Sequence, residues 1–225
     1  MGNVQRPVNK LVELQLAFDA IKAVVVCATD NAIFSDALIE RIGDSLDLSN
    51  GTFSSAKKAI EDATARYCKE VWRTIDDSHP KPLAKMLIGL KTTDDLRLLH
   101  LCTPTVRTID SWEFIGSGEE LGIYKGKQYG LKGMPVETAA PIIAYIVDVV
   151  INSTPFCGGP TSLAVIHPDG RVEHKSQDYV TKTAQGYKSL EWLLDTWVFP
   201  FLPLMVKETG EDVLSLIGEL GVCRA

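Results

Sequence analysis

Three short stretches of this sequence carry residue types at spacings that could do chemistry. The first is WEFIGSGEELG, from Trp112 to Gly122: an apolar segment, a Gly-Ser-Gly turn, then two acids. Glycines at 116, 118 and 122 after a strand-like segment suggest a loop whose backbone N–H groups cradle a phosphate. That chemistry also needs a parallel strand after the helix, ending in an acid about 20 residues on. Here the segment after Gly118 runs into KGMP and a further helix, and the next strand candidate lies beyond Cys157. The turn is therefore read as a sharp passage from strand to helix. Glu119 and Glu120 would then favour the positive end of the helix dipole.

The second stretch, Ser54-Ser55-Ala56-Lys57-Lys58, contains S-x-x-K twice. A serine nucleophile of that kind needs companion S-D-N and K-T-G motifs, which the sequence lacks. Serines at a helix start with lysines on its exposed face explain the pattern. The third is Cys157, followed by Gly158-Gly159. It could serve as a nucleophile if a histidine came near, but a structural cysteine at a strand entrance is the plainer reading.

The remaining cysteines (Cys27, Cys68, Cys102, Cys223) are scattered, five in all with Cys157, and form no C-x-x-C. They read as reduced thiols of a cytosolic protein. His79, His100, His167 and His174 show no ligand spacing, so neither metal nor cofactor is expected. With 29 acids against 23 lysines and arginines the net charge is −6. That speaks against a broad nucleic-acid surface. AVVVCA and PIIAYIVDVVI fall short of the run of about 18 apolar residues expected of a spanning helix, so no membrane partner is expected.

The elements that must position these residues follow from periodicity. KLVELQL (Lys10 to Leu16) and IKAVVVCAT (Ile21 to Thr29) read as a strand pair joined by FDA. Asp30 is the expected cap of a helix carrying Ile33, Ala37, Leu38 and Ile42, with Gly43 as its stop. A second helix, capped by Ser54 or Ser55, shows one face at Ala56, Ile60, Ala63, Tyr67, Val71 and Ile75, and ends at His79-Pro80-Lys81-Pro82. Three β-rich segments follow: AKMLIGLKT, LRLLHLC running into TVRTID, and SWEFIG. After the Gly-Ser-Gly turn comes a short helix, then one starting at Pro135 with an apolar stripe through Val150. TSLAVIHPDGRVEHKS reads as a hairpin about its Pro-Asp-Gly turn. The rest, from about Asp178, is helical and aromatic. Runs of like elements indicate an α+β protein with antiparallel sheets and segregated helices. No linker divides the chain, so one domain is expected over 1–225, with a core over 2–178.

FIGSGEELGIYKGKQYG, MPVETAAPIIAYIVDVV and PFCGGPTSLAVIHPDGRV, in that order, resemble the C-terminal half of proteasome-type β-subunits, which are N-terminal-nucleophile hydrolases. NKLVEL and AVVVCATDNAIFSDALIERI resemble that family's third and fourth strands and first long helix. The resemblance covers roughly residues 2 to 178. It implies a four-layer α-β-β-α sandwich, a cytoplasmic homo- or hetero-oligomeric ring, polypeptide substrates and a possible ATPase unfoldase.

The family chemistry is attack by an N-terminal threonine hydroxyl, with the free α-amine of that threonine as base. Lys10 matches the lysine whose charge lowers the nucleophile's pKa, and Ser117, with Gly118 beside it, matches a serine near that nucleophile. Thr29 stands where the oxyanion-hole glycine is expected. Thr154 and Cys157 stand where members often carry an aspartate and a serine. Only Met1 to Asn9 precede Lys10, so the first hairpin, with its threonine and aspartate, is expected to be missing. The expected function is thus a proteasome-like subunit without peptidase activity, Lys10, Thr29, Ser117, Gly118 and Cys157 marking a remnant site. The alternatives are a fragment of an active threonine-type endopeptidase that starts upstream, and a scaffolding or binding module using Trp192, Trp197, Phe199 and Phe201. Gly51-Thr52 has the composition of a self-cleavage junction, but it leads into a helix where a strand is required.

Overall fold

The β-branched run of β2 (Lys22–Thr29) and the strict alternation of β3 (Ala84–Lys91) set the centre of the molecule. The structure, a computed structural model, describes residues 11–17, 20–29, 31–155, 157–193 and 196. β2 and β3 pair antiparallel from Lys22↔Lys91 to Thr29↔Ala84. β1 (Leu11–Glu13) flanks β2, while β4 (Leu96–Cys102) and β5 (Thr105–Ile109) continue beyond β3. The result is a five-stranded antiparallel sheet in the order β1-β2-β3-β4-β5. Each strand adjoins its sequence neighbour, although two helices intervene between β2 and β3.

One face of this sheet buries Ile21, Ala23, Val25, Met86, Ile88, Leu90, Leu99 and Leu101. It is covered by α1 (Ala32–Asp47) and α2 (Phe53–Trp72), which contribute Leu38, Ile42, Leu46, Ala56 and Ile60. Each Val, Leu, Ile or Met among these adds about 1.5–3 kcal/mol of transfer free energy, against the entropy of ordering it.

The opposite face carries Lys85, Leu87 and Gly89. A Cβ on Gly89 would stand 2.7 Å from Ile166 Cδ1, so the missing side chain lets a second sheet settle here. That sheet is the hairpin of β6 (Leu163–Ile166) and β7 (Val172–Lys175). Gly170, at φ +89°, closes its Pro-Asp-Gly turn. Glu13 Oε2 on β1 lies 2.8 Å from His174 Nε2 on β7, a bond between the sheets.

α3 (Glu119–Gln128), α4 (Val136–Ser153) and α5 (Gln177–Leu193) hold a second core. Its buried members are Leu131, Ile142, Tyr145 and Ile146, with Trp112, Phe114, Val150 and Tyr187 packed against them. α4 is long and apolar enough to cross a membrane by length and composition, with a mean hydropathy of 1.4 over 18 residues. This corrects the expectation from the apolar run PIIAYIVDVVI alone, because the whole helix reaches 18 residues. Its Tyr145 and Ile146 are nonetheless fully enclosed by protein.

Several local expectations change. Asn31 caps α1, its side chain accepting from Phe34 N at 3.0 Å; Asp30 lies outside the described residues. Such caps contribute about 1 kcal/mol. α1 runs through Gly43 to Asp47, because burial of Ile42 and Leu46 outweighs the roughly 1 kcal/mol a helical glycine costs. Thr52, not Ser54 or Ser55, caps α2. α2 ends at Trp72, well before the prolines. Lys57 and Lys58 form i,i+4 pairs with Glu61 and Asp62 at 3.2 and 3.6 Å, which explains the S-x-x-K pattern as an exposed helix face.

SWEFIG forms no strand. Trp112 and Phe114 both turn onto α3, where Cβ atoms on Gly122 and Gly126 would meet Phe114 Cδ1 at 2.6 Å and Trp112 Cζ3 at 3.0 Å. The segment joins neither sheet, and its two rings pack into the helical core instead.

Candidate functional site

The Gly-Ser-Gly turn sits where three elements end together. Ala28, next to last in β2, lies on the sheet face turned away from α1 and α2. Gly116 packs on it at φ +101°, and a Cβ there would be 3.3 Å from Ala28 Cβ. Gly118 abuts the C-terminal end of α4: a Cβ there would be 2.0 Å from Val150 Cγ1 and 3.7 Å from Thr154 Oγ1. The turn is tightened by Glu119 N donating to Gly116 O at 3.1 Å, and α3 begins with Gly122 N donating to Gly118 O at 2.9 Å.

Thr154 caps α4, its N–H donating to Val150 O at 2.9 Å, and Cys157 N donates to Thr154 O at 3.3 Å. The structure thus brings Ser117, Gly118, Thr154 and Cys157 to one corner with the end of β2. Thr29 is placed there by its backbone pairing with Ala84. Ser117 is exposed, and its hydroxyl has no hydrogen-bond partner among the described residues. Lys10, and the expectation of a missing hairpin ahead of it, fall outside the described residues.

The glycines of the opening motif find their reason here. Gly118, Gly122 and Gly126 recur every four residues along α3 and admit Val150, Phe114 and Trp112. They serve close packing rather than the approach of a phosphate.

Sequence reasoning missed the charges at this corner. Lys85 lies across from Ala28 on one side and from Cys102 on the other. Its Nζ is 2.8 Å from Glu119 Oε2, at the first residue of α3. The hydrogen bond to Glu119 holds the Lys85 ammonium above the usual lysine range. A lysine among Leu87 and Gly89 on an otherwise uncharged inner stretch was the available signal. Its partner, 34 residues away, was not visible in the sequence.

Along the same face, Arg107 donates to His100 Nδ1 at 2.9 Å and also to Glu113. Burial, and then the Arg107 charge, hold His100 below the usual histidine range. Because Nδ1 accepts from Arg107, the ring proton belongs on Nε2, which is buried without a partner. His100 is therefore a neutral strut beneath Glu113. No group of three or more His, Cys, Asp or Glu side chains among the described residues is gathered to hold a metal ion.

No protein-family model and no curated protein matches the sequence. Among solved structures the chain is similar to Anbu from Hyphomicrobium sp. strain MC1, a Gly-1 mutant. The TM-score is 0.62 and the identity 16%, over 84% of this chain and 84% of that one. It is likewise similar to Anbu from Yersinia bercovieri, described as an ancestral beta-subunit. Here the TM-score is 0.63 and the identity 14%, over 83% of this chain and 84% of the other. At such identities the likeness speaks to the fold alone: the chain is an α+β protein with antiparallel sheets and, among the described residues, five helices, compatible with a proteasome-like fold.

Proposed function

We propose that the chain is a proteasome-like subunit that builds the wall of an oligomeric ring and does not itself cleave peptide bonds. The observation that carries this reading is the corner itself. In a β-subunit-like fold, the Gly-Ser-Gly turn, the end of β2 and the end of α4 meet where the family resemblance expects a catalytic centre. On this reading the chain is one domain, its two sheets stacked between helix pairs as an α-β-β-α sandwich. Its partners are further copies or related subunits, with an ATPase unfoldase supplying polypeptide in the cytoplasm.

Inactivity is supported by the residues that occupy the corner. Thr154 and Cys157 stand where the resemblance expects an aspartate and a serine, and Thr29 stands for a glycine.

A second reading, a fragment of a threonine-type endopeptidase that starts upstream, is favoured by the exposed Ser117, whose hydroxyl has no hydrogen-bond partner among the described residues. Incubation with a panel of fluorogenic peptides, with and without an inhibitor directed at N-terminal threonine, separates the two. The subunit reading expects no inhibitor-sensitive hydrolysis and no covalent mass increase. Hydrolysis abolished by the inhibitor would establish the peptidase instead.

The scaffolding alternative uses the aromatic C-terminal stretch as its partner surface. Trp192 is 59% exposed, so it does not pack α5 onto the sheets. Trp197, Phe199 and Phe201 lie outside the described residues.

A further inference from the structure

A groove of about 800 Å3 opens at the C-terminal end of α2. It lies on the helix-covered face of the five-stranded sheet, opposite the face that carries the Ser117 corner. Its floor is apolar: Cys68, Trp72, Ile75 and Pro104 line it. The Trp72 indole N–H donates to Pro82 O at 3.2 Å, which fixes the ring in the wall.

The rim is charged, and its charges do not cancel. Lys81 lies 3.5 Å from Asp77, and Asp76 is folded back onto Ser78 N at 2.9 Å. That leaves Lys69 and Arg73, four residues and one helical turn apart, with no acidic partner among the described residues. Both favour the negative end of the α2 dipole, as cations do at any helix C-terminus. The dipole does not require an open apolar floor beside them. The rim thus carries three cations, Lys69, Arg73 and Lys81, against two carboxylates, Asp76 and Asp77, a net positive charge above apolar surface in a chain of net charge −6.

We propose that this groove docks an acidic linear peptide segment of a partner protein. An apolar or aromatic side chain of the segment seats against Trp72, Ile75 and Pro104, and flanking carboxylates meet Lys69 and Arg73. Apolar burial supplies the anchor, and the paired charges set orientation and speed of encounter. The inference is independent of whether the Ser117 corner is catalytic.

The test uses the full chain and a capped hexapeptide, Glu-Glu-Phe-Leu-Glu-Glu, followed by calorimetry and by tryptophan fluorescence. Saturable 1:1 binding is expected, weakening as salt is raised. The fluorescence response should vanish in Trp72→Phe. The same peptide with glutamines for its glutamates should bind about tenfold more weakly, and so should the glutamate peptide to a Lys69→Glu/Arg73→Glu chain. Should the double reversal disturb folding, the glutamine peptide on the unaltered chain decides the matter. The proposal is overturned by any of four outcomes: no saturable binding, equal affinity for the two peptides, a response that survives Trp72→Phe, or tighter binding of a uridine oligonucleotide.

Discussion

Gly118→Val should destabilise the chain by about 3 kcal/mol, the upper end of the range for overpacking. A Cβ at this position would stand 2.0 Å from Val150 Cγ1 and 3.4 Å from Val150 Cβ. Val150 is β-branched and held on a helix, so it cannot swing away without moving α4. The backbone of Gly118, at φ −99° and ψ 13°, lies outside the left-handed region. The penalty is therefore one of contact, not of backbone strain. This makes a rescue possible: Val150→Ala in the same chain should recover about half of the loss, a coupling visible in a double-mutant cycle by urea titration. Additive losses would mean that the turn does not lean on α4.

The second large effect lies in the helical core. Tyr145 is wholly buried, stacks on Tyr187 with centroids 5.8 Å apart, and meets Tyr129 edge-on at 5.9 Å. Its hydroxyl donates to Glu191, which also accepts from Lys125 Nζ at 2.9 Å. α3, α4 and α5 are tied through this one carboxylate. Tyr145→Ala should cost about 3–5 kcal/mol from lost packing. Tyr145→Phe, which keeps the ring and removes only the donor, should cost about 1–2 kcal/mol.

The carboxylate also gives the core a pH signature. Burial by itself would raise the Glu191 pKa, but hydrogen bonds from Tyr145 and Lys125 outweigh it and hold it below the usual glutamate range. A depressed carboxylate stabilises the fold fully above its unfolded value of about 4.3. That stabilisation is lost as pH falls through the lower folded value. Glu191→Gln should therefore flatten the acid limb of the stability curve and leave its slope near neutrality unchanged. An unaltered acid limb would remove Glu191 from this role.

What could be read in the sequence was whatever repeats along the chain. β3 alternates buried and half-buried residues without a break, and the hairpin of β6 and β7 is announced by its Pro-Asp-Gly turn. The stripe of α4 was likewise visible, because its burial follows its own helical period. Features set by distant partners were hidden. Gly43 looked like a helix stop because Ile42 and Leu46 meet a sheet the local pattern cannot show. SWEFIG looked like a strand because nothing nearby reveals that Trp112 and Phe114 share the glycine face of α3. At the corner, Ser117, Gly118 and Cys157 were singled out and are gathered there. The Lys85–Glu119 pair, joining a strand to a helix, was not foreseen. The Tyr145–Glu191–Lys125 network escaped for the same reason, since Tyr145 lies 46 positions from the carboxylate that accepts its hydrogen bond.

The subunit reading stands or falls on assembly. Native mass spectrometry of the purified chain, with negative-stain images of the same sample, measures it directly. The reading predicts a closed ring of several copies, six or seven by the family resemblance, persisting at micromolar concentration. A single copy at every concentration, both for the chain alone and for the chain recovered from its own cells with whatever subunits accompany it, would contradict it.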